Sequence, residues 1–279
     1  RSEIQSNPSG ERLFRPFLVN ALLPLLAAVV GYGVPGGVVA VPLPEDVTQV
    51  HFDGRPAVVH RNHALIGLPL ETPPGRHGVD ITTQTGSFNV SFNVEPKDFP
   101  VQRLTIANDR LVNPNAEDLA RIRRETAKMR AAYALVSPPG GDLHPFLLPV
   151  EGEMSSPFGR KRILNGQPRS PHQGLDIAAN TGTPMIAPAA GVVVVTGNFF
   201  FNGNTVMIDH GSGLVTMYCH LHEFHVGEGD HLDRGDTFGS VGATGRATGP
   251  HLHWTVSMHG AKVDPLVLIQ VLGDIERIE

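Results

Sequence analysis

Cysteine is almost missing from this chain. Cys219 stands alone, so no internal disulfide can form. Lying between Tyr218 and His220 in a strand-like run, it reads as a small buried apolar residue facing away from both. Scarce cysteine fits a reducing or an oxidising compartment equally. Lysine is also rare (Lys97, Lys128, Lys161 and Lys262), and the net charge of -5 with a pI near 6.3 argues against nucleic-acid binding. None of the four lysines sits on a hairpin between the turn-rich runs 182–191 and 226–235. Those turns are similar to lipoyl and biotin carrier domains, but a carrier needs a modifiable lysine there. No His-Glu-x-x-His segment is present, so the usual helical zinc-protease arrangement is absent. Long apolar runs are missing too. Arg12 and Arg15 precede the mostly apolar residues 17–30, a run short of the roughly 20 residues a membrane-spanning helix needs. A short basic region before such a run resembles a signal sequence or membrane anchor, and predicts export.

Glycine and proline are plentiful, at 31 and 24, while long helical patterns are few. This predicts a mainly β protein with many short strands and tight turns. A length of 279 residues, 41% hydrophobic and 18% charged, suits about two globular domains. After the segment 1–35, residues 36–107 read as a small β-sandwich-like domain. Its clearest strand is Ser87–Val94, where Phe88, Val90, Phe92 and Val94 should line one face and the intervening Ser and Asn residues should meet water. His51, His60, His63 and His77 lack metal-like spacing and read as packing or surface residues. A connecting helix within 108–145 is expected to start at Asn113 and Pro114 and to carry a solvated basic face of Arg121, Arg123, Arg124, Lys128 and Arg130. Residues 146–279 then read as an antiparallel β-sheet with an open groove, with a helix only from Pro265.

Chemistry concentrates in two segments of this last domain. His172-Gln173-Gly174-Leu175-Asp176 places an imidazole and a carboxylate four positions apart. His251-Leu252-His253 places two imidazoles at i and i+2, on one face of an extended strand. His172, Asp176 and His253 supply the donors a catalytic zinc takes, leaving a fourth position open. With no glutamate base in the usual helical position, proton handling must come from elsewhere, and histidine suits it because it titrates near neutrality.

Residues 159–265 resemble the lysostaphin/LytM family of zinc metallopeptidases, which cut peptidoglycan peptides. The matching pieces are Ser156-Pro157-Phe158-Gly159-Arg160, the His172 to Asp176 motif, the 182–188 segment, Ile208-Asp209-His210-Gly211, Tyr218-Cys219-His220-Leu221, Gly249-Pro250-His251-Leu252-His253-Trp254 and the 260–265 segment. The resemblance implies one zinc ion held by His172, Asp176 and His253, with His220 and His251 as catalytic non-ligand histidines. One would accept a proton from the attacking water and the other would hydrogen-bond the developing oxyanion. It also implies an exported endopeptidase of the periplasm or cell envelope, acting on peptidoglycan stem peptides or cross-links. A non-enzymatic peptidoglycan-binding or hydrolase-regulating protein is the alternative. His210 is expected to hold structure by hydrogen bonding, and His222, His225, His231 and His259 to lie outside the site. Tyr218 suits either the groove or the core. Arg160 and Asn165 are candidates for a groove-lining or autoinhibitory contact.

Overall fold

The computed structural model describes residues 29–138 and 143–278; most of the apolar run 17–30, the residues 17–28, lies outside them. Among the described residues no helix is long and apolar enough to cross a membrane. The protein is mainly β, as its composition predicts. The N-terminal part is a sandwich of a five-stranded and a three-stranded sheet. The larger sheet runs Val29–Gly33, Ser87–Val94, Gly75–Thr83, Val47–Phe52 and Arg55–Pro56 in spatial order, and the smaller runs Val38–Pro42, His63–Gly67 and Val58–His60. Alternation sorts the side chains. Val39, Val41, Ala64 and Ile66 fill the sandwich with Val79, Val90 and Phe92. From the other face of the small sheet, Val38, Val58 and Leu65 join the core of the C-terminal domain.

Several boundaries differ from the sequence reading. The sandwich includes Val29–Gly33, inside the segment assigned to export, because this β-branched stretch pairs in parallel with Ser87–Val94. Phe88 is 38% exposed, lying at the rim where the strands of the covering sheet are only three to five residues long. Ser91 is buried instead of wet, and accepts a hydrogen bond from Arg76 Nε at 2.9 Å. Val101–Leu104 leaves the sandwich altogether: it pairs in parallel with Lys161–Leu164 and leads into a small apolar cluster of Ile106, Val112 and Leu164.

The connecting helix spans Ala116–Tyr133 and is capped by Asn115, not Asn113. Asn115 Oδ1 accepts from the Asp118 N–H at 2.8 Å while Asp118 accepts from the Asn115 N–H at 3.3 Å, a reciprocal capping box. Asn113 is spent on Asp109, one turn earlier. Part of the basic face is tied down: Arg121 donates to Asn198, and Lys128 to Glu228 at 2.6 Å.

The C-terminal domain is built on an eight-stranded sheet, antiparallel throughout. At its centre lie Leu175–Ala178, His251–Met258, Leu214–Leu221, Gly203–Asp209 and Gly191–Phe199, in that order. One face buries Trp254, Tyr218 and Leu252 against the helix Pro265–Ile278 through Leu268, Leu272 and Ile275. Tyr218 is thereby a core residue. Its ring meets Phe238 at 4.7 Å, and its hydroxyl pairs with Thr216 at 2.9 Å.

Leu65 is 1% exposed and belongs to the same core as Trp254, the chain's only tryptophan, so the two domains should unfold together. Leu65→Ala should lower stability by about 2–5 kcal/mol, read as a shift of the Trp254 fluorescence transition in denaturant. An unmoved Trp254 transition would show that the domains unfold independently.

Candidate metal centre and active site

Strand register brings the predicted residues together. Asp176 lies opposite His253, and Ala178 opposite His251, so both histidines project from the face that carries the Asp176 carboxylate. His172 enters from the loop before Leu175–Ala178, one short turn from Asp176. Gly174 makes the approach feasible, since a Cβ there would stand 2.6 Å from His253 Cε1 and 2.7 Å from the Trp254 carbonyl oxygen. His220 is delivered differently. The pairing of Leu214–Leu221 with Gly203–Asp209 slips between Tyr218 and Leu221, and His220 adopts a left-handed φ of 65°. Such a bulge re-aims one side chain out of the strand's alternation, and a left-handed non-glycine is costly enough to be found mostly where function uses it.

Three donor atoms converge. His172 Nε2 is 2.9 Å from Asp176 Oδ1 and 3.0 Å from His253 Nδ1, and His253 Nδ1 is 2.7 Å from Asp176 Oδ1. Among the described residues this trio is the one cluster of its kind with ligand atoms close enough to share an ion. The other ring nitrogens are anchored. His172 Nδ1 meets the Pro157 carbonyl at 3.0 Å and Ser156 Oγ at 3.3 Å, and His253 Nε2 meets Thr255 Oγ1 at 3.1 Å. Because a carbonyl oxygen only accepts, His172 carries a proton on Nδ1 and turns Nε2 toward Asp176 and His253. His172 Nε2 and Asp176 Oδ1 then face each other inside the protein, an arrangement that a shared proton or a bound cation would satisfy. The donor set, with each imidazole oriented from behind, fits a zinc site of two histidines and one carboxylate.

Electrostatics favour the ligating forms. Burial acts to raise the Asp176 carboxyl, yet its hydrogen bonds with His172 and His253 outweigh it and hold the group far below the usual carboxylate range. Burial pushes His253 down to about 4, so at neutral pH it is an uncharged imidazole. His220 falls to about 3 through burial and then the neighbouring His251 and His253.

His220 and His251 stack beside the trio with ring centroids 4.8 Å apart. Both use Nδ1 on a backbone carbonyl, His220 on Thr244 and His251 on Gly249, each at 2.8 Å. Both therefore offer Nε2 as the free nitrogen, and His251 Nε2 stands 3.9 Å from Asp176 Oδ1. The remaining histidines stay out of the cluster. His210 is buried between the Ala190 carbonyl at 2.7 Å and Thr216 Oγ1 at 2.8 Å, while His222, His225 and His231 are exposed. Cys219, opposite His253, points into a separate apolar cluster, and burial raises its thiol to about 12.

The arginine contact falls on a different residue from those expected. Asn165 sits at a hairpin tip and exchanges hydrogen bonds with Ile106 at 2.8 and 3.0 Å, and Arg160 meets the trio through its backbone, its carbonyl accepting from the His172 N–H at 2.9 Å. Arg162 is the residue that reaches the site, with its NH2 group 3.3 Å from Asp176 Oδ2. It lies two positions after Arg160 in the strand Lys161–Leu164, so strand alternation was the signal for it. Arg246, from the loop before His251, also borders the site, and no motif marks it.

Comparison with known proteins agrees with this geometry. Residues 170–265 match the model of peptidase family M23, and residues 32–97 match that of the peptidase family M23 N-terminal domain. A solved structure assigned to peptidase M23 from Pseudomonas aeruginosa is 40% identical, with a TM-score of 0.70, covering 85% of this chain and 94% of that one. The chain belongs to peptidase family M23. It is also similar to the DD-carboxypeptidase/endopeptidase Mpg of Neisseria meningitidis serogroup B, 42% identical over 117 residues, 42% of this chain and 27% of that protein. The peptidoglycan DD-endopeptidase ShyA of Vibrio cholerae is 40% identical over 121 residues, 42% of this chain and 28% of that protein. The matched region thus spans little more than a quarter of these relatives.

Metal content gives a direct check on the trio. His172→Ala and Asp176→Ala should each lose the bound metal after dialysis, measured by mass spectrometry of the intact protein and by elemental analysis. His251→Ala should keep a wild-type metal content. Loss of metal from His251→Ala, or its retention by Asp176→Ala, would redraw the ligand set.

Proposed function

We propose that this chain is an exported zinc-dependent endopeptidase that hydrolyses amide bonds in peptidoglycan stem peptides or cross-links. The observation that carries the reading is the cluster itself: three ligand atoms facing one point, with two further histidines alongside whose free nitrogens are both Nε2. The names of the Neisseria and Vibrio relatives support the substrate class. His172, Asp176 and His253 would hold the zinc ion, which when bound would lower the pKa of water to about 7 and polarise a carbonyl oxygen. The chain's own residues do the rest. His172 and His253 are locked in ligating orientation by Pro157 and Thr255. His220 and His251 each hold a proton on Nδ1 against a backbone carbonyl, which leaves Nε2 as the nitrogen that can take one. The imidazolium so formed donates from that nitrogen, either to the oxyanion or to the departing amine. One proton can thus be accepted and returned within the pair.

Digestion of purified sacculi, followed by mass spectrometry of the soluble fragments, tests the activity and identifies the bond. Release should stop on chelation and return with zinc, and His251→Ala should lower kcat by about 10²–10⁴-fold. Intact sacculi after prolonged incubation with zinc-loaded protein would favour a binding or regulatory protein. A near-normal rate for His251→Ala would contradict the proton-transfer role.

A further inference from the structure

Positive charge gathers around the metal ligands although the chain is acidic overall. Two cavities flank the site. One of about 810 Å3 reaches His253 and Thr255 beneath the helix Ala116–Tyr133; the other, of about 280 Å3, is bordered by His220, His251 and Asp176. Arg162 and Arg246 line both. The larger cavity also has Arg55, Arg130 and Lys262 on its walls, with Glu71 as its one carboxylate. In the smaller cavity the one carboxylate is Asp176, already committed to the trio.

Arg246 is held in place without a charged partner. Its backbone N–H donates to the Phe201 carbonyl at 2.8 Å, and its guanidinium lies 4.3 Å from the Phe201 ring centroid. Its one further polar contact is 3.3 Å to the Leu111 carbonyl. Among the described residues no carboxylate pairs with it. Burial, followed by the charges of Arg162 and Arg169, lowers Arg246 to about 10. Arg162 has Asp176 as its counter-ion, whereas a half-buried charge without one, such as Arg246, opposes folding, and such strained electrostatics cluster at binding and catalytic sites. An arginine fork pre-set beside a reaction centre suits a planar carboxylate.

We infer that Arg246, assisted by Arg162, forms a subsite for a free carboxylate on the substrate residue at the amine side of the scissile amide. The side is assigned from chemistry: a carbonyl-side residue spends one carboxyl group in the bond that is cut and would need a second acidic group to offer another. The amine-side residue spends none there and can keep its own within reach. The subsite would select peptides carrying that carboxylate over those in which it is amidated. This inference rests on the peptidase reading and adds the substrate feature that the groove recognises.

Two synthetic branched peptides, identical except for a carboxylate or a carboxamide on the amine-side residue, provide the test. Wild-type protein should prefer the carboxylate form by about tenfold or more in kcat/KM, as loss of a charged hydrogen-bond pair implies. Arg246→Gln should reduce that ratio to near one, and Arg246→Lys should restore part of it. Calorimetric binding of both peptides to His251→Ala, with and without Arg246→Gln, should show the same preference and the same loss. A merely structural Arg246 would lower both substrates together and leave the ratio unchanged, which overturns the inference. So would a wild-type ratio near one. If neither peptide were cleaved the peptidase reading would fail, while an equal affinity of His251→Ala for the two peptides would separately dispose of the subsite.

Discussion

A carboxylate oxygen and two imidazole nitrogens lie within 3.0 Å of one another in the C-terminal domain, close enough to share an ion. The convergence of these three groups is what the surrounding elements serve. The central strands place Asp176 opposite His253, Gly174 clears the space between them, and Pro157, Ser156 and Thr255 fix the two rings. The large apolar core behind the sheet, anchored by Trp254, supplies the rigidity. Donors held on paired strands lose little freedom when an ion arrives.

The N-terminal sandwich is not an independent appendage. Its smaller sheet is an inner layer, with one face in the sandwich and the other in the peptidase core. The chain leaving the sandwich then pairs Val101–Leu104 with Lys161–Leu164 before reaching the helix. Gln102, Leu104 and Ile106 thus become a wall of the smaller cavity beside Asp176, His220 and His251. Substrate access is therefore shaped by residues well outside the motifs that mark the chemistry.

How much of this was legible in the sequence depends on the range of the interactions. His251 and His253 could be read as a pair because i and i+2 on a strand share a face, whereas His172, Asp176 and His220 were legible through the motifs that resemble the family. The β-rich architecture followed from turns and alternation. Other features depend on partners distant in sequence. The helix start is an exception, since Asp118 stands three residues after Asn115, a capping-box spacing open to the sequence. Ser91 becomes a core residue because Arg76 satisfies it. The left-handed φ of His220 arises from a slip against Gly203–Asp209, and Arg246 gains its position through Phe201 and Leu111. No local pattern encodes those contacts.

The central claim is that one ion is gripped by two histidines and an aspartate. Crystals of zinc-loaded protein, with diffraction recorded on both sides of the zinc absorption edge, address it most directly. The account predicts a single strong anomalous peak at about 2.0–2.2 Å from His172 Nε2, Asp176 Oδ1 and His253 Nδ1. Its absence from that position, or a peak coordinated by other residues, would contradict the account.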